Sequence, residues 1–444
     1  MPRIGNVAVN VHLGTRVRNE GMPGEERGGC QGRNDGDARG GTRGNGVPKS
    51  GIFRNGVGLM CIYCRHIQPL PRKSHVQSHA VKSSKHIHPN INIHEPFRST
   101  PFRSTPFRSA PWCFNGHAHT ILCSRLFSSP ILPAQRIEIP TPDGDVLDLE
   151  WIPTTQTNPT TQGVWVDADR SQPDCVPGRS RTPVAILLHG LEGNANRYYI
   201  RRLADMLLLD GFDVAALHFR SCSGRMNQVR RFYHSGETED LATLIRWILH
   251  LSPDRPIYLA GFSLGASVIL NFLAKADSSS AELHAVQAFA AVSAPFDLKA
   301  GSEAMNRGFA QLYQVRFLRS LEKKLQEKRK RYPDLPVFRG NTLYEFDDQV
   351  TAALHGFESA DDYYHQCSSG RFIDRIRTPG LVLHSKEDPI CPFETVPAPT
   401  LQEMPYLECV FPDKGGHVGF WSMPAGWQEE LVSRYFKRFA DPDR

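Results

Sequence analysis

Gly261-Phe262-Ser263-Leu264-Gly265 is the stretch on which the reading of this chain turns. Just before it, Arg255-Pro256-Ile257-Tyr258-Leu259-Ala260 is a short apolar run bounded by proline, the pattern of a buried strand. Just after it, Ala266 to Lys275 reads as a helix. A serine between two glycines at a strand-to-helix turn is held out above a sheet, where it can act as a nucleophile. The glycines let the backbone turn sharply and let neighbouring chain approach where a side chain would clash. Such pentapeptides are common by chance, so the flanking strand and helix carry the weight.

Working outward, strands are predicted at Gln135 to Ile139, Val146 to Ile152, Val184 to Leu188, Val214 to Leu217, Ile257 to Ala260, Ala288 to Val292, Gly380 to His384 and Leu407 to Phe411. Helices are predicted at Arg197 to Leu209, Glu237 to His250, Ser263 to Lys275 and Gln428 to Ala440. Pro142-Asp143-Gly144-Asp145 separates the first two strands and signals a hairpin. Strand alternating with helix implies an α/β fold with a mainly parallel sheet, the first hairpin being its antiparallel edge. Residues 154–183, rich in Thr, Gln, Pro and Ser, read as a surface loop. Between residues 298 and 371 the alternation breaks, and an insertion there would lie over the carboxyl ends of the strands as a helical cap. Its helix, Phe309 to Arg331, ends in Lys323, Lys324, Lys328, Arg329, Lys330 and Arg331. Such a run ordinarily is a solvated helix face, with peripheral contact to an anionic membrane surface as the other reading.

A serine nucleophile needs a base to take its proton and an acid to orient that base. In a fold of this type the order along the chain is Ser, then Asp or Glu, then His. Asp388 follows the strand ending at His384 and sits in a turn before Pro389, with Glu387 as its nearest rival. His417 lies in Lys414-Gly415-Gly416-His417-Val418-Gly419, after the last predicted strand. The oxyanion of acyl transfer needs two backbone donors, one just after the nucleophile and one from a loop after an earlier strand. Leu264 supplies the first. Leu191, in His189-Gly190-Leu191-Glu192-Gly193, is the candidate for the second, and His189 reads as a structural residue of that loop.

Further stretches carry a family resemblance. They are His189-Gly190-Leu191-Glu192-Gly193, His218-Phe219-Arg220-Ser221-Cys222-Ser223-Gly224, Tyr233-His234-Ser235-Gly236-Glu237-Thr238-Glu239-Asp240 and Glu345-Phe346-Asp347-Asp348. Leu354-His355-Gly356-Phe357, Asp361-Asp362-Tyr363-Tyr364, Gly415-Gly416-His417-Val418-Gly419-Phe420 and Asn115-Gly116-His117-Ala118-His119-Thr120-Ile121 belong to the same set. Together they resemble the YheT family of α/β-hydrolases over residues 111–439. The resemblance implies one hydrolase domain with a helical cap, activity on carboxylic esters, and a triad on Ser263, Asp388 and His417. Two residues depart from the family pattern: Ser221 and Ala266 stand where glycine is usual. Ala266 favours the helix it opens, whereas Ser221 would be strained if its turn needs a positive φ.

The remaining features set limits. The net charge of +6 is concentrated before Pro96, where fourteen basic and six acidic side chains leave +8, so that the rest of the chain carries −2. The basicity therefore gives no argument for nucleic acid as a partner of the folded part. Residues 1–95 read as a disordered tail, and Pro96-Phe97-Arg98-Ser99-Thr100 with its two following repeats reads as an extended linker to residue 110. Cys61-Ile62-Tyr63-Cys64 with His75 and His79 imitates a zinc-finger spacing, but the gap between the pairs is too short for one. Ten scattered cysteines in a chain of 444 residues point to reduced thiols. No run approaches the roughly 18 apolar residues of a membrane span, and no secretory signal is read, so a cytoplasmic protein is expected. The expected function is a serine hydrolase acting on short- or medium-chain esters or monoacylglycerols, with no metal or organic cofactor. An alcohol O-acyltransferase on the same triad is the alternative, and a non-catalytic binding module on the same fold is the third.

Overall fold

The computed structural model describes residues 102, 104–154, 165–167 and 180–440. The expected disordered tail, the Cys61-to-His79 pattern and most of the loop at residues 154–183 lie outside the described residues. The strands are β1 Gln135–Pro140, β2 Val146–Ile152, β3 Trp165–Asp167, β4 Val184–Leu188, β5 Asp213–His218, β6 Ile257–Phe262, β7 Val286–Val292, β8 Gly380–Leu383 and β9 Leu407–Val410. They form one sheet in the order β3-β1-β2-β5-β4-β6-β7-β8-β9. From β5 to β9 every pairing is parallel, whereas β2 runs antiparallel to both β1 and β5. This is the α/β-hydrolase arrangement with its antiparallel N-terminal edge.

The central strands are apolar on both sides because helices cover both faces of the sheet. Along β4, Val184, Ile186 and Leu188 join one core cluster while Ala185 and Leu187 join another, as a two-residue period requires. On the first face pack α3 Glu239–Leu251 and α4 Leu264–Lys275; on the second pack α2 Tyr198–Leu209 and α8 Trp427–Ala440. The loop expectation at residues 154–183 needs one correction, since β3 adds a three-residue parallel edge beside β1. Two further differences come from packing. Asn115 caps a helix, α1 Gly116–Leu126, where sequence showed only a family motif. The described end of the phenylalanine repeat docks on the domain: Phe107 lies 4.8 Å from the Trp427 ring, and Trp427 Nε1 donates to the Thr105 carbonyl at 2.7 Å.

Between β7 and β8 come α5 Leu298–Ala304, α6 Gln311–Arg331, the short helix Leu343–Phe346 with the π-helical turn Asp347–Ala352, and α7 Ala360–Cys367. The basic run of α6 is solvated at Lys323, Lys330 and Arg331, as expected, and departs from that reading at Lys324 and Lys328. Lys328 is buried and Lys324 half-buried, four residues apart on one side of the helix. Lys328 Nζ donates to the carbonyls of Val229 at 2.8 Å and Arg231 at 3.0 Å. These lysines fasten α6 to the loop after β5.

That loop also explains Ser221. Its φ is 63°, the left-handed region in which glycine is usual, and its Oγ donates to Asn227 Oδ1 at 2.6 Å and accepts from Asn227 N at 3.2 Å. The two bonds offset a strain of about 1 kcal/mol. Next to it, buried Arg220 binds Asp143 and Asp145 at 2.9 Å and Asp240 at 2.6 Å, joining the hairpin turn to α3.

Candidate active site

Strand β6 ends directly on Ser263, whose φ of 55° and ψ of −120° make the sharp turn into α4. Both flanking glycines are needed for close approach. A Cβ on Gly265 would lie 2.5 Å from the Leu188 carbonyl oxygen, and one on Gly261 would lie 2.5 Å from that of Gly265. Ala266 fits its buried helical position.

Asp388 leaves the end of β8 in a turn closed by its own carboxylate. Oδ1 accepts from the amides of Ile390 and Cys391, each at 2.9 Å, which fixes the group's direction. Its rival Glu387 turns outward to Lys414 at 2.6 Å. His417 stands on the loop after β9, where its amide donates to Thr120 Oγ1 of α1 at 3.0 Å. Its Nδ1 lies 3.0 and 2.9 Å from the two Asp388 oxygens, and its Nε2 lies 2.7 Å from Ser263 Oγ. Sequence order and space thus bring Ser263, His417 and Asp388 into one hydrogen-bonded line.

Burial alone would raise the Asp388 carboxyl, but the facing His417, a second ring at His384 and the amide bonds outweigh it and hold the group below the usual carboxylate range. His384 carried no signal in sequence beyond ending a strand. It is fully buried, with Nε2 donating to the Cys391 carbonyl at 2.9 Å and lying 3.7 Å from Asp388 Oδ2. Burial pushes its pKa down, against the opposing pull of the Asp388 charge.

The loop after β4 closes the other side. A Cβ on Gly190 would lie 3.1 Å from the Ser263 Cβ, so this backbone runs against the serine. His189 Nε2 accepts from Phe219 N at 3.1 Å, which puts the ring proton on Nδ1, and Nδ1 donates to the Gly190 carbonyl at 2.7 Å. His189 is the structural residue expected. Leu191 and Leu264 both border the space above Ser263. Glu192, with φ 54°, anchors the loop's far end: its amide donates to Tyr233 Oη at 2.9 Å and its carboxylate accepts from Lys324 Nζ at 2.8 Å.

Two spaces open from Ser263 and His417. One, of about 1060 Å³ including its mouth, lies under the segment between β7 and β8, with Leu298, Met305, Leu321, Leu343, Val350 and Leu354 among its walls. The other, of about 1780 Å³ including its mouth, runs between α1, the start of α2 and α6. Beside the first space, which His234 and His355 line, these two and Glu237 bring one ligand atom each within 4.8 Å of one another. Two of the three have other partners: His234 Nδ1 accepts from Gly236 N at 3.2 Å, and Glu237 is held by Arg231 at 2.9 Å.

Comparison with known proteins bears on the family of the chain. A family model described as the alpha/beta hydrolase fold matches residues 183–424. YheT of Escherichia coli K12, a candidate esterase by its name, is 35% identical over 340 residues, covering 74% of this chain and 92% of its own length. The human protein named phospholipase ABHD3 is 27% identical, covering 74% of this chain and 76% of its own. The monoacylglycerol lipase of Saccharomyces cerevisiae is 27% identical over 58% of this chain and 60% of its own length.

Proposed function

The chain belongs to the α/β-hydrolase family and is a carboxylic ester hydrolase, and from that premise we propose that it works through an acyl-enzyme on Ser263. One observation carries the reading: the line from Asp388 through His417 Nδ1 and Nε2 to Ser263 Oγ, closed at 2.7 Å on a serine held at an elbow. Ser263 Oγ attacks the ester carbonyl carbon while its proton passes to His417 Nε2. The negative charge that forms on the carbonyl oxygen is received by the amides of Leu264 and Leu191. Asp388, kept ionised by its surroundings, stabilises the imidazolium and fixes its tautomer. Collapse of the intermediate breaks the bond to the alcohol, whose oxygen takes the proton from His417. Water then enters by the same path and releases the acid. The apolar space under the cap suits the acyl chain, by burial of methylenes at about 0.8 kcal/mol each.

The test is a panel of p-nitrophenyl esters and monoacylglycerols of graded chain length with purified wild type and Ser263→Ala. A loss of at least about 10⁴-fold in kcat is expected. Hydrolysis by the alanine variant at the wild-type rate would end the assignment.

A further inference from the structure

We propose that the surface around the mouth of the channel beside α1 is a docking face for an anionic membrane, seated through Leu126, Phe309, Leu312 and Val315 and held by Arg125, Arg316 and Arg319. The face stands on its own geometry, and only the use made of it rests on the serine-hydrolase reading above. Among the described residues, seven of the ten exposed large apolar side chains fall in two short stretches, residues 112–131 and 309–315. Apolar residues scattered singly are ordinary on a surface, whereas a gathering of them marks an interaction site. The two stretches are packed together: His117 Nδ1 lies 3.1 Å from Tyr313 Oη, and the His117 ring lies 5.0 Å from that of Phe309. Leu126 is 63%, Phe309 49%, Leu312 59% and Val315 40% exposed, so the contact between α1 and α6 leaves them outside it.

Helix α6 has two sides of different character. Inward, Gln314, Leu318, Leu325 and Lys328 are buried. Outward, at spacings of three and four, stand Leu312, Val315, Arg316 and Arg319, all exposed. The outward side of a surface helix is ordinarily polar, and Leu312 and Val315 break that rule while the arginines keep it. This is the composition of a helix lying in a membrane interface, and it belongs to the first half of α6, ahead of the basic run. Charge selects the occupant. No carboxylate occurs in residues 96–137 or 304–321, though both segments carry arginines. Arg125, Arg316 and Arg319 are exposed and have no carboxylate partner among the described residues. A second copy docked here about a two-fold axis would set this cationic face against itself. The chain's own first 95 residues, at +8, would be repelled in the same way. An anionic leaflet supplies both complements, negative headgroups for the arginines and acyl chains for the apolar side chains. Arg125, Phe309, Leu312 and Arg316 also line the channel that reaches Ser263 and His417. A face seated in lipid opens that channel to the leaflet, so that an apolar ester reaches the serine without crossing water.

The experiment floats the full chain with vesicles of phosphatidylcholine, alone or with about 30 mol% phosphatidylglycerol. Wild type is compared with Leu312→Ser/Val315→Ser, with Arg316→Gln/Arg319→Gln, and with Lys330→Gln/Arg331→Gln, a charge-matched control from the other end of the helix. Wild type is expected on the anionic vesicles, with its bound-to-free ratio falling about tenfold in each of the first two pairs and within about twofold in the control. Added salt should weaken wild-type binding toward that of the arginine pair. All these positions are exposed, so thermal melts should stay near that of wild type; should one pair fail to fold, the other carries the test. Undiminished binding in both pairs, or an equal loss in the control, overturns the proposal. So does a wild type that stays off the vesicles but elutes as a dimer that Leu312→Ser/Val315→Ser separates, since the face would then join copies of this chain. Flotation needs no turnover: a protein that cleaves no ester would sink the hydrolase reading and leave this measurement to judge the face alone.

Discussion

The chamber under the cap and the channel beside α1 share Leu191, Ser263, Phe317, Ile390 and His417 in their walls, yet they handle charge in opposite ways. In the chamber both carboxylates are hydrogen-bonded, Glu192 with a cation among its partners and Asp347 with hydroxyls alone. Glu192 accepts from Lys324 and from Tyr233 at 2.8 Å, and Asp347 accepts from Thr351 and Tyr364 at 2.7 Å. Arg125, Arg197 and Arg316 line the channel with no acidic residue among its walls, Arg125 and Arg316 being exposed to solvent. A matched buried charge belongs to the architecture, because breaking it leaves an uncompensated ion in low dielectric. Solvent-exposed guanidiniums stay hydrated and screened, so the lack of a facing carboxylate costs the fold little.

The contrast can be broken by substitution. After Ser263→Ala, which disables both spaces at once, the largest effect is expected from Lys324→Met. It strands the Glu192 carboxylate, so the protein should lose about 3 kcal/mol in denaturant unfolding, whereas Arg316→Gln should change stability by no more than about 0.5 kcal/mol. Equal losses in the two variants would erase the distinction between closed pair and open cluster. Because Glu192 also holds the loop that carries Leu191, kcat should fall with stability in Lys324→Met.

Next in size, Leu354→Trp fills the chamber without touching the channel. For esters of one alcohol, kcat/KM should drop about tenfold for long acyl chains and change little for butanoyl. A uniform drop across chain lengths would move the acyl chain out of the chamber.

The smallest effect concerns pH. Burial raises Asp347 from an ordinary value of 3.8 to about 6. A raised carboxyl contributes stability that is present below pH 3.8 and lost as pH climbs through about 6. Thermal melts from pH 4 to 7 should therefore show a decline that flattens in Asp347→Asn, by about 1 kcal/mol across the range. A parallel decline in both proteins would show that Asp347 is not the group being titrated.

The elbow, the parallel sheet and the order Ser263, Asp388, His417 were legible in the chain because each depends on local chemistry. Glycines permit the turn at Ser263, apolar runs make the strands, and each reacting group stands just beyond a strand's carboxyl end. Asp388 was read ahead of its rival Glu387 from its place before Pro389, and in the structure the turn directs Asp388 inward while Glu387 faces Lys414. The inward lysines of α6 were misread because a run of charge does not reveal which face is covered.

The sequence by itself determined the fold class and the chemistry, through residues whose roles follow from their near neighbours. Tertiary structure alone decided what surrounds that chemistry. The docking of Phe102 and Phe107, the bonding of Ser221 to Asn227 at its positive φ, the buried His384 behind Asp388 and the channel lined by Arg125, Arg197 and Arg316 are all set by packing. Pattern and propensity report on contacts within a few residues, whereas a substrate's path is built from surfaces that only packing brings together.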